Sequence, residues 1–148
     1  MRTLVNVAAG AVALLALAGC GGAKPVVSAM AQGPIAEDKL PTHVNLGPEA
    51  DPDSARLLAE QDDYAFYATR ADPDGFCVVI VNRQVDSDWV TGCATSLPPH
   101  FNPRGQSPIK VAGPAGVIAK LALDGYDATD DLADGWEQLH PNLLVRGL

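Results

Sequence analysis

Positive charge is scarce in this chain: ten Lys and Arg stand against eighteen Asp and Glu, for a net charge of −8. No basic stripe offsets that balance, so a nucleic-acid partner is excluded. Anionic headgroups are repelled for the same reason, and any membrane attachment must come from something other than charge. Cysteine is sparse as well, at three residues, and no C-x-x-C pair exists to suggest redox exchange or a zinc ligand set. No serine lies in a G-x-S-x-G elbow, which leaves Ser96 and Ser107, with His100 and His140, without support as a hydrolase triad. Asp127, Asp130, Asp131 and Asp134 do not follow the Asp-x-Asp-x-Asp-Gly spacing with a closing Glu, so they read as a solvated acidic loop and not a calcium site. Internal repeats are missing, and no apolar run reaches the ~20 residues that span a bilayer.

What is present begins at the N-terminus. Arg2 precedes an apolar stretch from about Leu4 to Ala18, and Leu17-Ala18-Gly19-Cys20 closes it. A short basic region, an apolar core and small residues before a cut are the layout of a secretory signal. No Arg-Arg pair precedes the core, which favours the general secretion route over the twin-arginine route. The four closing residues resemble the lipobox of bacterial lipoproteins. That resemblance implies cleavage after Gly19, a diacylglycerol thioether on Cys20, and a stable anchor, since two or more acyl chains hold a protein to a membrane where one does not. The expected address is the outer, extracytoplasmic face of the cell membrane.

Removing residues 1–19 leaves about 130 residues, enough for one domain. Residues 20–50 are rich in Gly, Ala and Pro without a period of 3.6 or 2, and read as a flexible tether. Residues 51–148 read as a single globular domain. Asp51 before Pro52 has the form of an N-cap with proline at the first helical position, and Leu57 and Leu58 supply an apolar face. A helix of two to three turns is expected there. Strands are expected over 63–70, at Phe76–Val81, Trp89–Cys93 and Ile109–Ala112, over 117–123 and from Asn142 to Arg146. Turns are expected at Ala71-Asp72-Pro73-Asp74-Gly75, Gly113–Gly116 and Asp124-Gly125. Residues 126–141 give no clear period. The expected class is α+β: one N-terminal helix packed on a small, mostly antiparallel sheet with one disulfide.

Cys77 and Cys93 remain after Cys20 is assigned to lipid, an even pair in an oxidising compartment. A hairpin centred on Val85 sets Cys77 opposite Cys93, Val79 opposite Thr91 and Val81 opposite Trp89. All six then lie on one face. That geometry predicts a Cys77–Cys93 disulfide.

The pieces Arg56-Leu57-Leu58, Tyr64-Ala65-Phe66-Tyr67-Ala68, Cys77-Val78-Val79-Ile80-Val81, Gly92-Cys93-Ala94, Gly116-Val117-Ile118-Ala119, Leu123-Asp124-Gly125-Tyr126 and Asn142-Leu143-Leu144-Val145 resemble a group of small exported actinobacterial lipoproteins, mostly uncharacterised. Leu123 stands where that group usually carries proline. The resemblance implies a fold and a compartment but no reaction.

Tyr64, Tyr67 and Trp89 suit a core. Trp136 lies among polar neighbours and suits a half-exposed contact surface. With Tyr126 and His100 it forms the candidate binding surface. No residue set supports catalysis, a cofactor or a metal. The expected function is therefore a lipid-anchored interaction or envelope-structural module with an unknown protein partner. A small-ligand-binding lipoprotein is the alternative. Cys20→Ser is expected to abolish incorporation of a labelled fatty acid; undiminished label in that variant would overturn the lipid assignment.

Overall fold

A computed structural model describes residues 26–95 and 109–148. Eight strands form two four-stranded antiparallel sheets. The first sheet orders β1 (Ala50–Gln61), β2 (Tyr64–Ala71), β3 (Gly75–Asn82) and β4 (Trp89–Ala94) as a meander. The second holds β5 (Ile109–Ala112), β6 (Ile118–Leu121), β7 (Glu137–His140) and β8 (Leu143–Arg146) in the order β5-β6-β8-β7. One short helix, α1 (Thr129–Ala133), precedes β7. The class is thus mostly β, and the expected α+β arrangement is overturned.

The overturned element is the N-terminal helix. Residues 51–61 lie in β1, which pairs with β2 from Ala50↔Ala71 to Gln61↔Tyr64. The polar residues that look like a helix cap build an irregularity in the strand instead. The Asp51 carboxylate accepts from the Asp53 N–H at 3.0 Å, and the Ser54 hydroxyl donates to the Asp51 carbonyl at 2.6 Å. The same hydroxyl accepts from the Arg70 N–H of β2 at 2.8 Å. The ladder register shifts between Asp51 and Arg56 as a result. Asx-type side chains serve caps and local turns by one mechanism, so the sequence signal is shared. Pairing with β2 settles it, because only the strand buries Ala55 and Leu58 while satisfying the backbone.

The cysteine hairpin is as predicted. β3 and β4 pair Cys77↔Cys93, Val79↔Thr91 and Val81↔Trp89, and Cys77 is bonded to Cys93. The β2–β3 hairpin turns through Asp72-Pro73-Asp74, with Ala71 opposite Gly75.

The two sheets face each other. Phe66, Ala68, Val78 and Ile80 of the first pack against Val111, Ala119, Leu121, Leu143 and Val145 of the second. The sheets approach closely where β4 passes β5. A Cβ at Gly92 would lie 3.0 Å from the Val111 Cβ, so only glycine fits there without displacement.

The first sheet is also apolar on its outer face. Ala65, Tyr67, Val79 and Val81 form a second cluster, covered by Leu40, Val44 and Leu46. Residues 20–50 were expected as a tether, but from Val26 onward the chain is a strap on the domain: Val27 is fully buried and Met30 nearly so. The strap is pinned by polar contacts. Asp38 accepts from the Ile35 and Leu57 N–H groups at 2.8 and 2.9 Å and lies 3.9 Å from the Arg56 guanidinium. Arg56 is buried and donates to the carbonyls of Gln32, Ser54 and Ala55. These contacts also cover the free edge of β1, which would otherwise invite pairing with another chain.

Removing the Cys77–Cys93 bond, which closes a loop of sequence separation 16, is expected to lower stability. Cys77→Ala should cost about 2–5 kcal/mol, read as a lower denaturant midpoint; an unchanged midpoint would contradict this.

Candidate functional site

The outer face of the second sheet carries the most unusual chemistry of the described residues. Alternation along the strands places Lys110, Lys120, Leu144 and Arg146 on that face, opposite the core residues Val111, Ala119, Leu121 and Val145. Lys110 and Lys120 are direct cross-strand partners. Trp136 lies over this face and packs on Leu144, Ala122 and Ala128, with Ile118 and Tyr126 beside them. Three cations surround its ring: Lys120 Nζ at 4.3 Å, the Arg146 guanidinium at 4.9 Å and Lys110 Nζ at 5.8 Å from the centroid.

The backbone between β6 and β7 brings Trp136 there. The chain leaves β6, turns at Gly125 with φ of 83°, forms α1, and turns again at Gly135 with the same φ. Both positions need the left-handed conformation that glycine adopts freely. The Trp136 N–H then donates to the Asp131 carbonyl at 2.9 Å.

Asp131 is the counter-charge. Its carboxylate pairs with Lys120 Nζ at 2.5 Å and accepts from the Tyr126 hydroxyl at 2.5 Å. Burial alone would raise the Asp131 pKa. The hydrogen bonds from Lys120 and Tyr126, with the charges of Lys120 and Arg146, outweigh burial and hold it below the usual carboxylate value. Tyr126 moves the other way, pushed up to about 12 by burial, by its hydrogen bond to Asp131 and by the charges of Asp131, Asp130 and Asp127. Lys120, Asp131 and Tyr126 are thus a self-satisfied set, with Tyr126 protonated at neutral pH.

A second polar node joins the strap to this sheet. Asn142 is 1% exposed, and its amide donates to the Ala122 carbonyl and the Asp124 carboxylate, both at 2.9 Å. Its side-chain oxygen accepts from the Ser28 hydroxyl and the Ala29 N–H. Its backbone N–H donates to His140 Nδ1 at 3.0 Å. The strap itself walls a groove of about 710 Å³ with the start of β1, lined among others by Pro34, Ile35, Leu40, Pro41, Val44 and Pro52.

These placements revise the candidate surface. Trp136 is 7% exposed and belongs to a packed cluster, so the expectation of a half-exposed ring is corrected. Polar neighbours in sequence misled because its ring packs on Leu144 and Ile118 of the sheet face and on Ala122 and Ala128 of the preceding segment. Tyr126 joins Trp136 through Asp131, whereas His100 lies outside the described residues, as do Cys20, Ser96 and Ser107. Asp131 is buried and paired, not part of a solvated loop. Sequence reasoning also missed Lys110, Lys120 and Arg146. The alternation Ile109-Lys110-Val111 and Ala119-Lys120-Leu121 was the available signal, since each Lys interrupts two inward apolar residues. Among the described residues, no group of three or more His, Cys, Asp or Glu is placed to hold a metal ion, and no helix is long and apolar enough to cross a membrane.

No family model matches this chain, and neither does any curated protein or solved structure.

Burial lowers the His140 pKa from 6.5, and Nδ1 must stay unprotonated to accept from Asn142. The unfolded chain therefore binds a proton more readily than the fold does. This contribution is complete above pH 6.5 and is lost as pH falls from there through the folded-state value. The melting temperature should drop over that window, and His140→Gln should flatten the drop; an identical pH profile for the variant would refute the assignment.

Proposed function

We propose that this chain is an exported, lipid-anchored module that works on the outer face of the cell membrane by binding a protein partner. Two features support the address. Leu17-Ala18-Gly19-Cys20 resembles a lipobox, and a Cys77–Cys93 bond suits an oxidising compartment. The binding reading is carried by Ile35. It is the most exposed large apolar side chain among the described residues, at 62%, and it lines the groove between strap and β1. Neighbouring prolines 34, 41 and 52 stiffen the walls, so little ordering entropy is lost when a partner's apolar side chain enters. The contact surface of this reading is the groove, not Trp136.

A second reading, a small-ligand-binding lipoprotein, is favoured by the groove's size. At about 710 Å³ it exceeds the ~300 Å³ lower bound of small-molecule sites.

The test is complementation of a deletion strain with Ile35→Asp, alongside measurement of fold and lipidation. Loss of the cellular role in a folded, lipidated variant is expected. Full complementation would overturn the groove as the working surface. Native mass spectrometry of the protein extracted from membranes separates the two readings, because a bound small molecule would replace the protein-partner reading with the ligand one.

A further inference from the structure

We propose that Lys110 and Arg146, held beside the buried ring of Trp136, form a binding site for a phosphate-type oxyanion. The chain as a whole is acidic, yet three of its cations converge on one indole. Lys110 also sits directly opposite Lys120 in the β5–β6 ladder. Like charges in opposed cross-strand positions are destabilising. Asp131 makes an ion pair with only one of them, Lys120, while its other oxygen accepts from Tyr126; Arg146 acts on it through charge at longer range. No ion pair among the described residues includes Lys110 or Arg146. Two exposed cations are therefore left within 5.8 Å of one ring centre with no carboxylate of the described residues at ion-pair distance.

The site is prepared for an anion. Trp136 is buried, and its ring attracts the two cations and restrains their stems. That restraint lowers the ordering cost of binding. Arg146 supplies a planar fork that matches two phosphate oxygens, and Lys110 supplies a point charge. An oxyanion between them would also relieve the Lys110–Lys120 repulsion. The charge of Asp131 is offset by its ion pair with Lys120, which leaves Lys110 and Arg146 as the cations facing an incoming anion.

The same chemistry is offered by free phosphate and by lipid headgroups. The position of the strap makes headgroups reachable. Six peptide steps separate Cys20 from Val26, so the covalent reach is at most about 20 Å. Val26 accepts from the Asp124 N–H at 2.9 Å, in the segment that leads on to Tyr126. This part of the inference rests on the lipid anchor proposed above. The anion site itself does not.

The experiment reads the acylation rate of Lys110 by an amine-reactive reagent, with mass spectrometry resolving each lysine. Lipidated mature protein in phosphatidylcholine vesicles is titrated with sodium phosphate, against sodium chloride at matched ionic strength. A second arm uses vesicles containing phosphatidylglycerol without added phosphate. Phosphate is expected to slow Lys110 acylation at least threefold where chloride does not, and Arg146→Gln should remove the protection. Protection in the phosphatidylglycerol arm assigns the headgroup as the source. Protection by sodium phosphate alone upholds the site and assigns it to free phosphate. Equal Lys110 rates in every arm, or protection that survives Arg146→Gln, would overturn the site. Vesicle flotation reads the anchor separately: protein that fails to float refutes the lipid reading, and the phosphate titration then runs in solution and still decides the site.

Discussion

Burial of β3 on both faces is the constraint around which this molecule is arranged. Val78 and Ile80 point to the second sheet, while Cys77, Val79 and Val81 point away from it, and all five are buried. A single sheet cannot meet that demand. One layer must lie on each side of the first sheet, and the second sheet supplies only one of them. The strap from Val26 onward supplies the other, through Leu40, Val44 and Leu46. Each fully buried aliphatic side chain contributes about 1.5–3 kcal/mol, so leaving the outer faces bare would forfeit a large share of the stability of so small a domain.

Covering a face with irregular chain brings backbone polar groups into low-dielectric surroundings, and each needs a partner. Asp38, Arg56 and Asn142 meet that need. Each is a polar side chain that is nearly inaccessible and engages two or more backbone groups, at least one of them in another segment. The Asp38–Arg56 pair is better understood as this backbone accounting than as a Coulombic gain, because desolvation consumes much of what a buried ion pair returns. The same layering repeats on the second sheet, where residues 122–136 close over Leu144 and set Trp136 among the cations. Structure and candidate chemistry thus share a cause: the outer faces had to be covered, and the covering segments carry both the groove and the cation cluster.

Much was legible in local pattern. The β3–β4 hairpin and its register follow from period-two alternation around Val85, because a slip of one residue would move every side chain to the wrong face. The short strand at Ile109–Ala112 and the turn at Gly113–Gly116 follow from the same logic. Besides the polar surroundings of Trp136 and Asp131, two further local readings misled. Asp51-Pro52 carries a side-chain hydrogen-bonding signal common to helix caps and strand irregularities, and the Gly, Ala and Pro composition over 20–50 does not distinguish a free tether from a packed strap.

The sequence by itself determined the local geometry of the hairpins, the disulfide partners, the acidic character and the apolar strip ending at Cys20, since each depends on residues close in the chain or on totals over it. Only the tertiary structure decided that residues 51–61 form a strand, that the strap is part of the domain, and that Trp136 is core. It alone brought Lys110, Lys120 and Arg146 around one ring. Those outcomes rest on contacts between segments tens of residues apart, such as Ser28 with Asn142 and Arg56 with Gln32. Local propensity is worth fractions of a kcal/mol per residue, and burial of an apolar face outweighs it wherever the two disagree.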